Sequence, residues 1–275
     1  MSQSPVFTRK QAHTASFQLS WLEAGDAPVT LVLLHGIGSN AQSWDQQLAY
    51  FCSYYRVVAW DAPGYGKSAG LTMADTSPTI YAQALKALFE ALNVQRALLV
   101  GHSLGAIIAA RFASLWPDAV AGLVLSAPAS GYGWHPGDLL PAGLQQRLDD
   151  ITRLGPEGMA KARAARTLTP AANAGVIAKA QDAMAGMSVK GYQDAVHLLA
   201  QAVLKADLLK LDLDFTVLCG TEDQTTPLSK VEPDTQVPRR RELVLLKGAA
   251  HASYLEYPDL YNQALATVLT KFKKL

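Results

Sequence analysis

Six short apolar runs, separated by polar or helical stretches, most constrain the fold of this chain. They read VTLVLLHG from Val29, YRVVAWD from Tyr55, RALLVG from Arg96, AGLVLSAP from Ala121, FTVLCG from Phe215 and ELVLLKG from Glu242. The runs are continuous rather than alternating and rich in Val and Leu, which is typical of strands buried on both faces. Because helical patterns separate the first four runs, a mostly parallel sheet flanked by helices is predicted.

Two regions depart from this alternation. The stretch FTRKQAHTASFQLSWLEAG, which begins at Phe7, predicts an antiparallel hairpin at the edge of the sheet. Residues 129–206 show no strand pattern, only short helical segments punctuated by Gly and Pro. Since strand patterns resume at Phe215, we predict a core of residues 1–128 and 207–275 and a helical cap of residues 129–206. A separate helical domain is the alternative interpretation.

Composition excludes several classes of partner. The 275 residues suffice for one large α/β domain, and a formal net charge of +1 offers no field to attract nucleic acid or an acidic membrane. No apolar stretch is long enough to span a membrane, and the start MSQSPVFTRKQAH lacks the apolar run of a secretion signal. Cys52 and Cys219 fit no metal-ligand spacing. We therefore expect a cytoplasmic protein without metal or cofactor.

One serine stands where an apolar strand gives way to a helix, in LLVGHSLGAIIAARFA from Leu98. A strand that turns abruptly into a helix forces its turn residue into strained backbone angles, and Gly101 and Gly105 allow the close approach. The turn lifts the hydroxyl of Ser103 clear of the sheet, at a helix N-terminus where negative charge is favoured. The pattern Gly-x-Ser-x-Gly therefore predicts Ser103 as a nucleophile.

A serine hydroxyl needs a base, and one of six histidines must supply it. His251 lies in a loop after the last apolar run, and such a loop can carry an imidazole over the sheet edge to the serine. His35 ends a strand, where a structural role is expected. The ring of His102 must diverge from the side chain of Ser103. We therefore predict His251 as the base.

The base in turn needs an acid to orient it. Asp223 stands just past the end of the run FTVLCG, and its neighbour Glu222 is expected to point the other way. Asp207 precedes that run, at the wrong edge of the sheet. Asp223 is the predicted acid, which gives the chain order Ser, Asp, His.

Acyl transfer also needs donors for the negative oxygen of the tetrahedral intermediate. The N–H of Leu104, directly after Ser103, is one expected donor. The other is the N–H of Ile37, in a loop that Gly36 and Gly38 keep open.

Five motifs in this order resemble those of the α/β-hydrolase superfamily. They read HGIGSNAQSW from His35, WDAPGYGKS from Trp60, GHSLG from Gly101, GTEDQTTP from Gly220 and HASYLEYP from His251. The resemblance covers nearly the whole chain and fits small esterase-like members, including 3-oxoadipate enol-lactonase-like proteins. It implies the α/β-hydrolase fold, an eight-stranded, mostly parallel sheet with a helical cap inserted after the sixth strand.

The residues and the resemblance together predict a serine hydrolase. It would cleave a carboxylic ester, lactone or related small-molecule acyl substrate through Ser103, Asp223, His251 and an acyl-enzyme. Trp134, near the start of the predicted cap, is a candidate for the substrate pocket, with a core aromatic as the alternative. One alternative function is a carbon–carbon bond hydrolase of the meta-cleavage type with the same triad. Another, from a different class, is a ligand receptor with slow turnover.

Overall fold

The computed structural model describes residues 7–72, 75–239 and 241–272. Within these ranges eight strands form one sheet in the order β1-β2-β4-β3-β5-β6-β7-β8. The strands are β1 Thr8–His13, β2 Gln18–Ala24, β3 Thr30–Leu34, β4 Arg56–Asp61, β5 Ala97–His102, β6 Val120–Ser126, β7 Phe215–Gly220 and β8 Arg241–Leu246. Strands β1 and β2 pair antiparallel, β2 pairs antiparallel with β4, and the remaining neighbours are parallel. The predicted mostly parallel sheet and its edge hairpin are thereby confirmed.

Helices connect and flank the strands. They are α1 Asp45–Phe51, α2 Pro78–Ala91, α3 Leu104–Leu115, α4 Ala142–Arg163, α5 Ala174–Ala185, α6 Val189–Gln201, α7 Leu204–Leu208, α8 Leu228–Thr235, α9 Ser253–Glu256 and α10 Pro258–Thr270. Short 3₁₀ turns occur at Ala41–Trp44, Pro117–Ala119 and Ala164–Thr167. Among the described helices, none combines the length and the apolar character needed to cross a bilayer.

Burial along the strands follows their place in the sheet. The central strands β3, β5 and β7 are buried along their whole length, because helices cover the sheet around them. Strand β1, with the sequence TRKQAH, is mostly exposed at one edge, and β8 is only half-buried at the other. Polar and charged residues on an edge strand discourage pairing with a second chain.

A buried carboxylate at the end of β4 joins three parts of the chain. Asp61 accepts hydrogen bonds from the N–H of Ala41 at 2.9 Å and the N–H of Lys67 at 3.2 Å. It also accepts from the hydroxyl of Ser20 and pairs with the guanidinium of Arg9. The carboxylate thereby ties the edge strands to the loops that follow β3 and β4.

The residues between β6 and β7 are mostly helical and contain α4 to α7, as the missing strand pattern predicts. Helix α4 is broken at Gly155, whose φ of 64° is not helical, and Pro156 follows directly. The predicted boundary between residues 206 and 207 falls inside α7. We use the name inserted segment for residues 129–206.

The inserted segment approaches the loop after β4 most closely at two glycines. A Cβ atom on Gly191, in α6, would lie 2.3 Å from the carbonyl oxygen of Gly64. Gly64 has a φ of +83°, and its carbonyl accepts hydrogen bonds from the N–H and the hydroxyl of Ser188 at 3.1 and 2.9 Å. Backbone lies directly against backbone here, so a side chain larger than hydrogen does not fit at either glycine.

We predict that Gly191→Ala destabilises the protein even though alanine is the better helix former. The added methyl group must displace the backbone of Gly64, which we expect to cost about 1–3 kcal/mol of unfolding free energy. Gly143→Ala in α4 is the matched control, because no heavy atom lies within 4 Å of its added Cβ. It should instead stabilise by roughly 0.5–1 kcal/mol. Urea unfolding followed by circular dichroism measures both changes, and equal effects would contradict the tight contact.

Candidate active site

Ser103 stands in a strained turn between β5 and α3. Its φ of 54° and ψ of −113° are unusual for a residue with a side chain. A Cβ atom on Gly101 would lie 2.3 Å from the carbonyl oxygen of Gly105, and one on Gly105 would lie 2.4 Å from that of Leu34. The two glycines therefore allow strand and helix to approach closely enough to hold the serine in this conformation.

Ser103 and His251 both line a cavity of about 500 Å³. Its walls come from the loop after β3, from the inserted segment and from the loop after β7. In open α/β sheets, ligands bind outside the carboxyl ends of the strands. The cavity is therefore the candidate substrate site.

The side chain of His251 is oriented by a buried carboxylate. Its Nδ1 lies 2.9 Å from Oδ2 of Asp223 and 3.1 Å from Oγ1 of Thr226. Because Nδ1 is engaged in this way, Nε2 is the ring nitrogen left for the cavity. Ser103, Asp223 and His251 are 5%, 3% and 4% exposed, so all three residues are shielded from water.

Asp223 is held ionised by its surroundings. Burial would raise the pKa of this carboxyl, but hydrogen bonds from His251 and Thr226 outweigh it and lower the pKa to about 2. The N–H groups of Thr225 and Thr226 donate to its other oxygen at 2.7 and 2.8 Å. A carboxylate at this place fixes the imidazole tautomer with the proton on Nδ1. The neighbouring Glu222 is exposed and does not contact His251.

The two predicted backbone donors belong to the start of α3 and to the loop after β3. Leu104 is the first residue of α3, so its N–H has no acceptor within the helix. Ile37 lies in the cavity wall, between Gly36 and Gly38. A Cβ atom on Gly36 would come within 2.9 Å of the Cβ of Ser103, which shows how closely this loop approaches the serine.

His35 is a structural residue of that loop. Its Nδ1 donates to the carbonyl of Gly36 at 2.8 Å, and its Nε2 accepts the N–H of Ala62 at 3.0 Å. Burial lowers the pKa of His35, so the ring stays neutral. The backbone uses both ring nitrogens, in agreement with the predicted structural role.

His102 has a supporting contact that the sequence did not reveal. Its Nε2 donates to the backbone carbonyl of His251 at 3.0 Å, and the two rings lie 4.7 Å apart. Burial, together with the nearby His251, lowers the pKa of His102 to about 3. The ring is therefore a neutral, buried support beneath the loop that carries His251. Its place beside Ser103 was visible in the sequence, but its partner 149 positions away was not.

The loop of His251 is also tied to the inserted segment. The N–H of Ala252 donates to the carbonyl of Thr167 at 2.8 Å. The carboxylate of Glu256 accepts the N–H of Thr169 at 2.9 Å as well as its hydroxyl. Glu256 belongs to the motif HASYLEYP, but the motif alone does not show which residue it binds.

The structure corrects the prediction for Trp134, which does not line the cavity. Its indole N–H donates to the carbonyl of Asp138 at 3.1 Å, and its ring lies 6.0 Å from that of His197. Tyr132 lines the cavity instead. Gly133 has a φ of +64°, so the backbone turns between the two aromatic residues and separates their rings.

The acidic, thiol and imidazole side chains form no metal site in the part of the chain that the structure describes. In the described ranges, no three or more His, Cys, Asp or Glu side chains are placed to bind an ion together. Burial raises the pKa of the Cys219 thiol to about 12, so it stays protonated. Cys219 is buried, while Cys52 is partly exposed.

A serine held at positive φ after a central parallel strand, with Asp and His supplied by later loops, is the arrangement of α/β hydrolases. The model of the alpha/beta hydrolase family matches residues 31–264, and the chain belongs to that family. This confirms the resemblance seen in the five motifs.

Individual relatives cover nearly the whole chain. A pimeloyl-[acyl-carrier protein] methyl ester esterase of Proteus mirabilis is 30% identical over 263 residues, which are 90% of this chain and 95% of the relative. A thermophilic esterase from Thermogutta terrifontis superposes with a TM-score of 0.84 at 24% identity, covering 96% of this chain and 99% of that one. The enol-lactonase from Burkholderia xenovorans LB400 gives a TM-score of 0.83 at 20% identity, with coverages of 95% and 100%. The likeness to these two solved structures shows the fold.

We predict that His102 makes the stability of the protein depend on pH. Its folded pKa of about 3 lies below the ordinary value of 6.5. Between these values the unfolded chain binds a proton that the folded protein does not, so stability falls as the pH drops below about 6.5. From pH 7 to pH 5 this amounts to about 2 kcal/mol.

His102→Gln removes this titration and should flatten the dependence by that amount. Urea unfolding of the wild type and the variant at pH 7 and pH 5 measures the difference. Equal pH dependence in both proteins would show that His102 is not held neutral by the fold.

Proposed function

We propose that this chain is a serine hydrolase that cleaves a carboxylic ester or lactone through an acyl-enzyme on Ser103. One observation carries the proposal. The strained serine shares a cavity with an imidazole whose Nδ1 is engaged, at 2.9 Å, by a carboxylate with a pKa of about 2. A serine with an oriented base beside it is the arrangement that acyl transfer requires.

The comparisons favour esters over other acyl compounds. By these comparisons the chain is an ester-acting hydrolase, since relatives that match most of its length are named as esterases. The Proteus mirabilis relative is named a methyl ester esterase. We infer from that name an ester of a small alcohol, in which most of the substrate belongs to the acyl side.

The first half of the reaction forms the acyl-enzyme. Nε2 of His251 takes the hydroxyl proton of Ser103 while Oγ bonds to the ester carbonyl carbon. The N–H groups of Leu104 and Ile37 donate to the resulting oxyanion. The protonated His251 then gives its proton to the departing alkoxide, which leaves as the alcohol. Asp223 stabilises the imidazolium throughout and is not itself protonated.

The second half releases the acid. His251 is neutral again and takes a proton from a water molecule. The oxygen of that water attacks the carbonyl carbon of the acyl-enzyme at the same time. The same donors hold the second oxyanion, and the imidazolium returns the proton to Oγ of Ser103. The products are a carboxylic acid and an alcohol, and the enzyme is regenerated.

Residues 129–206 act in this proposal as the cap that covers the site. Cavity-lining residues such as Arg147, Met184 and Tyr192 come from this segment, so it shapes the space around the acyl chain. The hydrogen bond from Ala252 to Thr167 joins the cap to the loop that carries His251.

The proposal predicts that Ser103→Ala abolishes hydrolysis of 4-nitrophenyl butyrate. Loss of the nucleophile should lower kcat by roughly 10⁴- to 10⁶-fold. Ser114→Ala, in the helix that follows Ser103, is the matched control, because the hydroxyl of Ser114 donates to the carbonyl of Arg111 and Ser114 does not line the cavity. Nitrophenolate release measures both variants, with circular dichroism to verify folding. Persisting turnover in folded Ser103→Ala would refute the assignment of the nucleophile.

The proposal also predicts different effects at two adjacent carboxylates. Asp223→Asn should lower kcat by about 10⁴-fold, because an amide cannot stabilise the imidazolium and favours the wrong tautomer. Glu222→Gln should leave kcat within about twofold, since surface substitutions away from such contacts have small effects. The same ester assay compares the two variants, and the reverse order of effects would assign the acid to Glu222.

A further inference from the structure

The cavity is lined by basic side chains without acidic ones. Its walls include Arg147, Arg163, Arg166 and Lys230, and no Asp or Glu lines it in the part of the chain that the structure describes. The whole chain has a formal net charge of only +1. Positive charge is therefore concentrated where the substrate must enter.

Three of these cations have no counter-charge in the described ranges, namely the side chains of Arg147, Arg166 and Lys230. Arg147, which is half-buried, donates to the hydroxyl of Tyr192 at 3.3 Å, and that hydroxyl is a neutral partner. Arg163, by contrast, lies 3.5 Å from a carboxylate oxygen of Asp150. Lys230 lies over the ring of Tyr132, 5.5 Å from its centroid.

Arg166 is distant in the chain from Ser103 and His251, but a backbone contact of its neighbour brings it near the proposed chemistry. It belongs to the 3₁₀ turn Ala164–Thr167, and the carbonyl of Thr167 accepts the N–H of Ala252, the residue after His251. Arg147 reaches the cavity from α4, beside Tyr192 of α6. The two uncompensated guanidinium groups thus reach the cavity from two places in the inserted segment.

We propose that the cavity selects esters that carry a carboxylate or phosphate on the acyl side, bound by Arg147 and Arg166. This rests on the proposed function, which places an ester carbonyl at Ser103. Arg147 is half-buried and has only a neutral partner, so an anionic group on the substrate supplies the counter-charge that it lacks, while the exposed Arg166 adds positive charge at the cavity wall. The guanidinium fork also matches the paired oxygens of a carboxylate or phosphate.

The cavity has room for such a substrate. Its volume of about 500 Å³ lies within the roughly 300–1,000 Å³ typical of small-molecule sites. An acyl chain of several methylene groups therefore fits between the ester and its terminal anion.

The test compares three methyl esters of similar length. They are monomethyl adipate, methyl 6-phosphonooxyhexanoate and methyl adipamate, the last of which replaces the carboxylate by a neutral amide. We expect kcat/KM for the better of the two anionic esters to exceed that for the amide by about tenfold or more. The better anionic ester identifies the chemical source, and base consumption at constant pH measures all three rates.

Variants assign the preference to the two arginines. Arg147→Gln with Arg166→Gln should remove most of this preference, measured as the ratio of kcat/KM for the better anionic ester to that for methyl adipamate in the same variant. Arg153→Gln is the matched control, because Arg153 is an exposed α4 residue paired with Asp150 and does not line the cavity. Equal rates for all three esters in the wild type, or a preference that survives the double substitution, would overturn the proposal.

Binding separates this inference from the proposed function. Calorimetric titration of the wild type with adipate and with neutral adipamide measures the preference without turnover. If 4-nitrophenyl butyrate is cleaved through Ser103 but neither anionic ester nor adipate is preferred, only the anion selectivity fails. If no ester is cleaved but adipate binds about tenfold more tightly than adipamide, the selectivity stands and the hydrolase proposal fails. If no ester is cleaved and adipate binds no better, both proposals fail.

Discussion

The close contact between β5, α3 and β3 determines the site. Ser103 can keep a φ of 54° only because glycines on both sides let the helix lie against the strand ends. Strain of this kind costs of order 1–3 kcal/mol, and it persists only where the surrounding structure enforces it. Here the enforcement comes from β3 and β5, which are buried along their whole length.

The imidazole is held by its backbone as well as by its side chain. His102 supports the carbonyl of His251, while Asp223 and Thr226 engage Nδ1. The contact through Ala252 adds the inserted segment as a third support. Since these contacts come from the loop after β7, the end of β5 and the inserted segment, the position of the ring depends on the sheet and the helices together. A change in how the inserted segment packs would therefore change the position of the His251 ring.

The sequence predicted those features that depend on local pattern. The six runs became strands because continuous Val and Leu residues bury both faces of a parallel sheet, and GHSLG became the strained turn because only glycine allows the close approach. The partner of His102 could not be predicted, because a hydrogen bond to a residue 149 positions away depends on packing. The prediction for Trp134 was wrong for a related reason, since the turn at Gly133 decides which aromatic ring faces the cavity. The positive charge of the cavity could not be predicted either, because Arg147 and Arg166 lie far from Ser103 in the chain.

The contact between Gly64 and Gly191 has a mechanical consequence. Two backbones in direct contact have no side-chain rotamers with which to absorb a displacement, so this point cannot slide without breaking hydrogen bonds from Ser188. The inserted segment is also held to the core through Ala183, Thr167 and Thr169, so this contact is one of several fixed points. A displacement of the inserted segment therefore has to break backbone contacts at several places, and the one at Gly64 has no side chain with which to yield.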